Sequence, residues 1–153
     1  MSNTVTWQAL TFRALDAETL YALLRLRTNV FVVEQNCPYP ELDDRDQSAL
    51  HVIGRDASDR VVACARILPP SEDGLPAVGR VVVDSGHRGT GLGHALMREV
   101  IAELKRTYGK IDSRMSAQAH LEGFYAAHGY RRHGEVFDLD GIPHIAMRLS
   151  APA

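Results

Sequence analysis

The chain has 153 residues, 45% of them hydrophobic and 24% charged, with a formal net charge of −2. That length is enough to bury a core in one domain spanning residues 1–153, and the composition is that of a soluble globular protein. The near-neutral charge argues against general nucleic-acid or membrane-surface binding, two cysteines make neither a disulfide framework nor a metal motif, and no apolar run approaches the ~18 residues of a membrane span.

Residues 1–8 lack a basic segment followed by an apolar one, so no signal peptide is expected. A cytoplasmic location, with reduced thiols at Cys37 and Cys64, follows by default. Residues 4–12 have the composition of a strand. Asp16 then suits the N-cap of a helix whose stripe is Leu20, Leu23, Leu24, Arg27 and Phe31, with Arg27 interrupting the apolar face. The β-branched run Val30-Phe31-Val32-Val33 predicts extended backbone, and Cys37-Pro38-Tyr39-Pro40 ends any helix. An acidic loop follows, Glu41-Leu42-Asp43-Asp44-Arg45-Asp46. Residues 50–54 and 61–68 read as an antiparallel hairpin about Asp56-Ala57-Ser58-Asp59, and residues 69–76 as a surface loop.

The stretch Arg80-Val81-Val82-Val83-Asp84 predicts a strand covered on both faces. It runs into Ser85-Gly86-His87-Arg88-Gly89-Thr90-Gly91-Leu92-Gly93 and a helix with Leu92, Leu96, Val100, Ile101 and Leu104 on one stripe, closed by Gly109. Residues 111–116 predict a short strand and residues 121–128 a short helix ended by Gly129. Residues 134–139 and 144–149 predict a hairpin about Asp140-Gly141. This order is that of a mixed α/β single domain.

The glycine-rich turn carries the plainest chemistry. Unpaired N–H groups at a helix N-terminus form a ready site for phosphate oxygens. Three motifs compete for the ligand. Gly86 to Gly91 has the spacing of a nucleotide P-loop, but Leu92-Gly93 stands where Lys-Ser/Thr is needed. Gly89-Thr90-Gly91-Leu92-Gly93 has the wrong last spacing for a dinucleotide fingerprint and lies past mid-chain. The third pattern, Arg/Gln-x-x-Gly-x-Gly/Ala, is present as Arg88, Gly89, Thr90, Gly91, Leu92 and Gly93.

With that loop the chain resembles the Gcn5-related N-acetyltransferases (GNAT) over nearly its whole length. Within them it is most similar to the ElaA-type acyltransferases, through residues 26–35 followed by Cys37-Pro38-Tyr39, and through Gly79-Arg80-Val81, Ala117-Gln118 and residues 140–144. The resemblance implies a mixed, largely antiparallel central sheet flanked by helices. It also implies that acetyl-CoA binds with its pyrophosphate on the amides of Arg88, Gly89, Thr90, Gly91, Leu92 and Gly93, and its pantetheine arm on the backbone of Val81, Val82 and Val83. The acceptor would be a small-molecule or peptide amine, with no nucleic-acid or membrane partner, and a homodimer is an assembly common among relatives of this size. Rival readings are an acyl-CoA-binding sensor or partner-binding module, and a phosphate-binding domain for another ligand.

Acyl transfer from a thioester to an amine needs a base, an oxyanion donor and an acid for the leaving thiolate. Tyr125 matches the family's Tyr-x-x-x-Gly-Phe/Tyr segment, in which the tyrosine serves as that acid, and a phenol of pKa near ~10 is protonated at neutral pH. Val82 or Val83 would supply the oxyanion N–H. Glu34, past the first helix, and His144, at the start of the last strand, compete for the role of base, the histidine having the better unperturbed pKa. The seven histidines show no ligand spacing, so no metal is expected. For the acceptor, Arg27, Phe31, Asp43, Asp46 and His51 stand out, beside Glu41. A similar Arg-x-x-x-Phe segment with an acidic loop occurs in acyl-homoserine-lactone synthases, although this chain is short for that function and its single tryptophan, Trp7, lies elsewhere. The competing reading of these residues is a structural ion-pair network around Arg27 and Arg45.

Overall fold

The computed structural model describes residues 4–152; residues 1–3 of the N-terminal stretch discussed above, and residue 153, lie outside the described residues. The elements run β1 (Thr6–Thr11), α1 (Ala17–Thr28), β2 (Leu50–Arg55), β3 (Val61–Leu68), β4 (Ala77–Val83), α2 (Leu92–Tyr108), β5 (Ser113–Gln118), α3 (Glu122–Ala126), β6 (Arg131–Arg132), β7 (Phe137–Leu139) and β8 (Ile142–Leu149). All eight strands join one sheet in the order β1-β2-β3-β4-β5-β8-β6, with β7 also on β8. The one parallel pairing is β4 with β5, the rest being antiparallel. This is the mixed, largely antiparallel α/β fold expected.

Strand alternation divides the core into two layers. Val62, Ala63, Ala65 and Ile67 pack with Leu96, Met97, Val100 and Leu104 of α2 and with Tyr125 of α3. On the other side, Ile53, Cys64 and Val82 pack with Leu23, Leu26 and Val30. The helix boundaries follow the sequence signals. Asp16 caps α1 by accepting from the Thr19 amide at 2.7 Å, and Gly109, at φ 78°, closes α2. Asp140 and Gly141, both at positive φ, turn the β7–β8 hairpin. Among the described residues no helix is long and apolar enough to cross a membrane.

Two local expectations are overturned. Residues 30–33 are not extended: the helix widens into a π turn over Asn29–Glu34, with Gln35 N–H donating to the Val30 carbonyl at 3.1 Å and Cys37 N–H to the Val32 carbonyl at 3.1 Å. Burial of Leu26 and Val30 against the sheet overrides the β preference of Val-Phe-Val-Val, while Val33 is left 68% exposed. The second is the strand over residues 134–139, of which only Phe137–Leu139 pairs; upstream of it lies β6, two exposed arginines on Arg148 and Met147 of β8 that carry no strand pattern to read.

The segment from Cys37 to Asp46 is held to the sheet by charge. Arg27 reaches Glu41 at 2.5 Å and Asp46 at 2.7 Å; Arg66 reaches Asp46 at 3.0 Å and Asp43 at 2.5 Å; Arg80 reaches Glu41 at 2.8 Å and Asp43 at 3.4 Å. The contacts close a ring in which each acid touches two arginines and each arginine two acids. Tyr39 donates to Glu41 at 2.6 Å and lies under the Arg80 guanidinium. Burial alone would raise the Asp46 pKa, but Arg27 and Arg66 outweigh it and hold the group below its ordinary value. Hydrogen bonds from Arg66 hold Asp43 well below the usual carboxylate range.

Removing one member strands buried charges, so Arg27→Met is expected to lower stability by about 3–5 kcal/mol in urea unfolding. Because Asp43 and Asp46 are depressed, their contribution is complete above the unfolded carboxylate pKa near ~4 and fades as pH falls below it. Wild-type stability should therefore drop steeply below about pH 4, and Arg27→Met should show a shallower slope there; equal slopes would remove the ring from the acid response.

Candidate functional site

The ladder between β4 and β5 holds at Ala77↔Arg114, and among the described residues no pair follows it toward their C-terminal ends. On its other side β4 pairs with β3 at Ala63↔Val83 and Cys64↔Val82, and the Asp84 amide donates to the Val62 carbonyl at 2.8 Å. Backbone groups alternate sides along a strand, so Val82 faces β3 while the N–H and C=O of Val83 face the split toward β5. Arg80, at φ 50°, stands where the β3–β4 register shifts.

At the C-terminal end of β4, Asp84 accepts from the Gly86 amide and the chain turns through Gly89 at φ 76° and Gly91 at φ 84° into α2. These two conformations need glycine. Gly93 is required by contact instead, since a Cβ there would lie 3.3 Å from the Phe124 ring. The first-turn amides of α2 lack helical acceptors and border a groove of about 280 Å³ lined by Val83, His87, Arg88, Gly89, Gly91, Leu92, Gly93, His94 and Phe124. His94 packs on Phe124 and hydrogen-bonds His128 at 2.8 Å. Burial, with His94 and Arg98 nearby, pushes the His128 imidazole below its ordinary value. A larger groove of about 660 Å³ beside Asp16, Arg25, Arg55 and Arg60 shares Asp84 with this region but has no glycine-built amide nest. The smaller groove fits an anionic, phosphate-bearing ligand.

Arg88 carries a second contact. Its guanidinium meets the Glu34 carboxylate with contacts at 2.8 and 2.7 Å and lies 3.5 Å from the Val83 carbonyl. The Arg88 bond holds the Glu34 pKa below its ordinary value. Gln35 accepts from Gln118, at the end of β5, at 3.1 Å, and Cys37 Sγ donates to the Asp140 carbonyl at 3.3 Å. Residues 34–37 therefore span the split, tied to the β4 side through Arg88 and to the β5–β8 side through Gln118 and Asp140.

Tyr125 is 6% exposed, packed edge-on to Phe124, and its hydroxyl makes no hydrogen bond with the described residues. Burial pushes its phenol up to about 12. His144 lies in register with Gln118, and its Nδ1 donates to the Ile142 carbonyl at 2.7 Å, which leaves the Nε2 lone pair free. His51 is 2% exposed, directs Nε2 to the Asp46 carbonyl at 2.9 Å, and is held below its ordinary pKa by burial.

Among the residues singled out for the acceptor, Arg27, Asp43 and Asp46 belong to the buried ring, His51 supports it, and Phe31 packs against the α1-side core. The ring forms around Arg27 with Arg66 and Arg80, while the exposed Arg45 contributes only backbone bonds. Arg66 and Arg80 stand inside otherwise apolar strands, a signal that each needs a buried carboxylate. Gln35 and Gln118 carried no such signal. Both cysteines are free and buried, and burial raises the Cys64 thiol to about 12. Among the described residues no group of three or more His, Cys, Asp or Glu side chains is arranged to hold a metal ion.

A split parallel strand pair beside a glycine-built helix N-terminus is the frame of a GNAT acyltransferase, and residues 21–151 match the model of the acetyltransferase (GNAT) domain, so the chain belongs to that family. Within it the chain is of the ElaA type. It is 42% identical to protein ElaA of Escherichia coli over 146 residues, covering 94% of this chain and 95% of that protein. The crystal structure of E. coli ElaA superposes with a TM-score of 0.89 at 39% identity, covering 96% of this chain and 100% of that one. An acyl-CoA N-acyltransferase from Pseudomonas aeruginosa superposes with a TM-score of 0.91 at 39% identity and the same coverage.

Proposed function

We propose that this protein transfers an acetyl group from acetyl-CoA to an amine by direct attack within a ternary complex. The observation that carries this reading is the Val83 backbone, which faces the β4–β5 split without a partner on β5, beside the amides of Gly91, Leu92 and Gly93. The pyrophosphate would rest on those amides and the pantetheine arm would follow β4, bringing the thioester into the split. The aromatic wall of Phe124 and His94 adds apolar contact along the groove.

In the reaction the amine lone pair forms the new C–N bond at the thioester carbonyl, whose oxygen gains charge and is met by the Val83 N–H. The tetrahedral centre then expels the thiolate. Tyr125 gives that sulfur its proton, since a buried phenol with pKa about 12 is fully protonated at neutral pH. His144, with Nε2 free, removes the proton from the incoming ammonium directly or through water. Alternation along β4 favours Val83 over Val82 as the oxyanion donor. We assign Arg27, Asp46 and His51 to shaping the acceptor cleft from beneath, because their hydrogen bonds are spent on one another, and Phe31 and Asp43 to its inner wall.

Release of free thiol from acetyl-CoA by a panel of primary amines tests the activity, and binding without thiol release by any of them would favour a sensor. Gly91→Asp should abolish acetyl-CoA binding in calorimetry through charge and steric conflict with pyrophosphate. Since nothing lies within 4 Å of the position a Cβ would take, the fold should survive with a loss of about 1–3 kcal/mol from the positive φ. Undiminished binding would rule out the loop. Tyr125→Phe should lower turnover on the order of 10²-fold with little change in acetyl-CoA affinity; unchanged turnover would take the acid role from Tyr125.

A further inference from the structure

Glu41, Asp43 and Asp46 are consumed by the arginine ring, whereas Glu34 holds a single partner, the Arg88 guanidinium of the phosphate loop. That pair is bidentate yet open to solvent, with side chains 45% and 41% exposed, and it lies over the Val83 carbonyl at the mouth of the split. Exposed pairs of this kind are weak, and a pyrophosphate offers the same guanidinium more negative charge and more acceptor oxygens than one carboxylate does. The amides that would hold the pyrophosphate begin three residues beyond Arg88, in the same groove.

We propose that the donor pyrophosphate takes Arg88 from Glu34, so that donor binding opens the strap across the β4–β5 split and releases the Glu34 carboxylate to receive the ammonium of a cationic amine acceptor. This rests on the donor site proposed above and adds an order to it. Acetyl-CoA binds first, and the Glu34 carboxylate, paired with Arg88 in the free protein, is open to the acceptor only in the donor complex. Glu34 is thereby the positioning group that holds the amine, and His144 remains the base. Its neighbour Gln35 stays on Gln118, so the backbone that carries Glu34 remains anchored to the β5 side while the side chain is freed. The order has a chemical use, since an amine held at Glu34 before the thioester arrives would meet no acyl group.

The test needs no knowledge of the acceptor. Calorimetry should show acetyl-CoA binding about two- to fivefold tighter to Glu34→Gln than to wild type, because the variant has no ion pair to break. In the Arg88→Gln background the same substitution should give no gain. In ¹³C NMR, the carboxyl signal missing from Glu34→Gln should titrate below the ordinary glutamate range in the free protein and move up on saturation with coenzyme A. Equal or weaker binding by Glu34→Gln, a gain that persists without Arg88, or a titration unmoved by coenzyme A overturns the hand-over. No binding of acetyl-CoA to wild type would instead remove the donor site itself, and this inference with it.

Discussion

Three arginines and three carboxylates, closed into one ring beneath the Cys37–Asp46 segment, hold that segment in place against the sheet. Cys37 buries one end of that segment, but Leu42, in its middle, is 63% exposed, so hydrophobic burial does not anchor the acidic part. The charges are expensive to desolvate singly, but the ring is neutral and every carboxylate has two guanidinium partners, which offsets most of that cost. What it provides is geometry. Each arginine comes from a different element, α1, β3 and β4, so the loop has one register in which all three acids are met.

The ring also bears on the backbone of β4. Arg80 sits at φ 50°, a conformation that costs a non-glycine residue about 1–3 kcal/mol unless its surroundings hold it there. Its guanidinium is bound by Glu41 and Asp43, and its ring contact with Tyr39 adds to this. The same irregularity shifts the β3–β4 register just beyond Ala77, the β4 residue that still pairs with β5. One interaction thus stabilises both the Cys37–Asp46 segment and the strand distortion at Arg80, beside the β4–β5 split. The edge of β4 beyond Ala77 is open because its β5 neighbour has been led away, which a regular sheet would not allow.

In the glycine-rich turn the constraint is backbone geometry rather than charge. Gly89 and Gly91 adopt conformations closed to other residues without strain, and Gly93 admits the Phe124 ring; together they bring bare amides to the end of β4. Glu34 and Arg88 bridge the two halves of the site, one at the end of the π turn and one in the glycine loop. A regular continuation of α1 would point residue 34 differently, so the widened turn is part of what places the carboxylate at the split.

Much of this was legible in the chain before folding. The valine strand, the glycine spacing and the helix stripe depend on local conformational rules, so the order of elements, the glycine-rich turn and the Asp16 and Gly109 caps could be read from residue types alone. Tyr125 could be marked by its segment, but its burial and free hydroxyl could not. The π turn was misread because Val-Phe-Val-Val has a β preference that only packing against the sheet reverses. Arg66, Arg80, Gln35 and Gln118 went unplaced because their partners lie 20 to 83 residues away in sequence. Sequence by itself determined the family frame and the glycine-rich turn into α2, whose conformation is carried by backbone and by neighbouring residues. Only the tertiary structure decided which charges are spent on one another and which carboxylate is left facing the split, because ion pairing is settled by distances between strands and loops that no local pattern encodes.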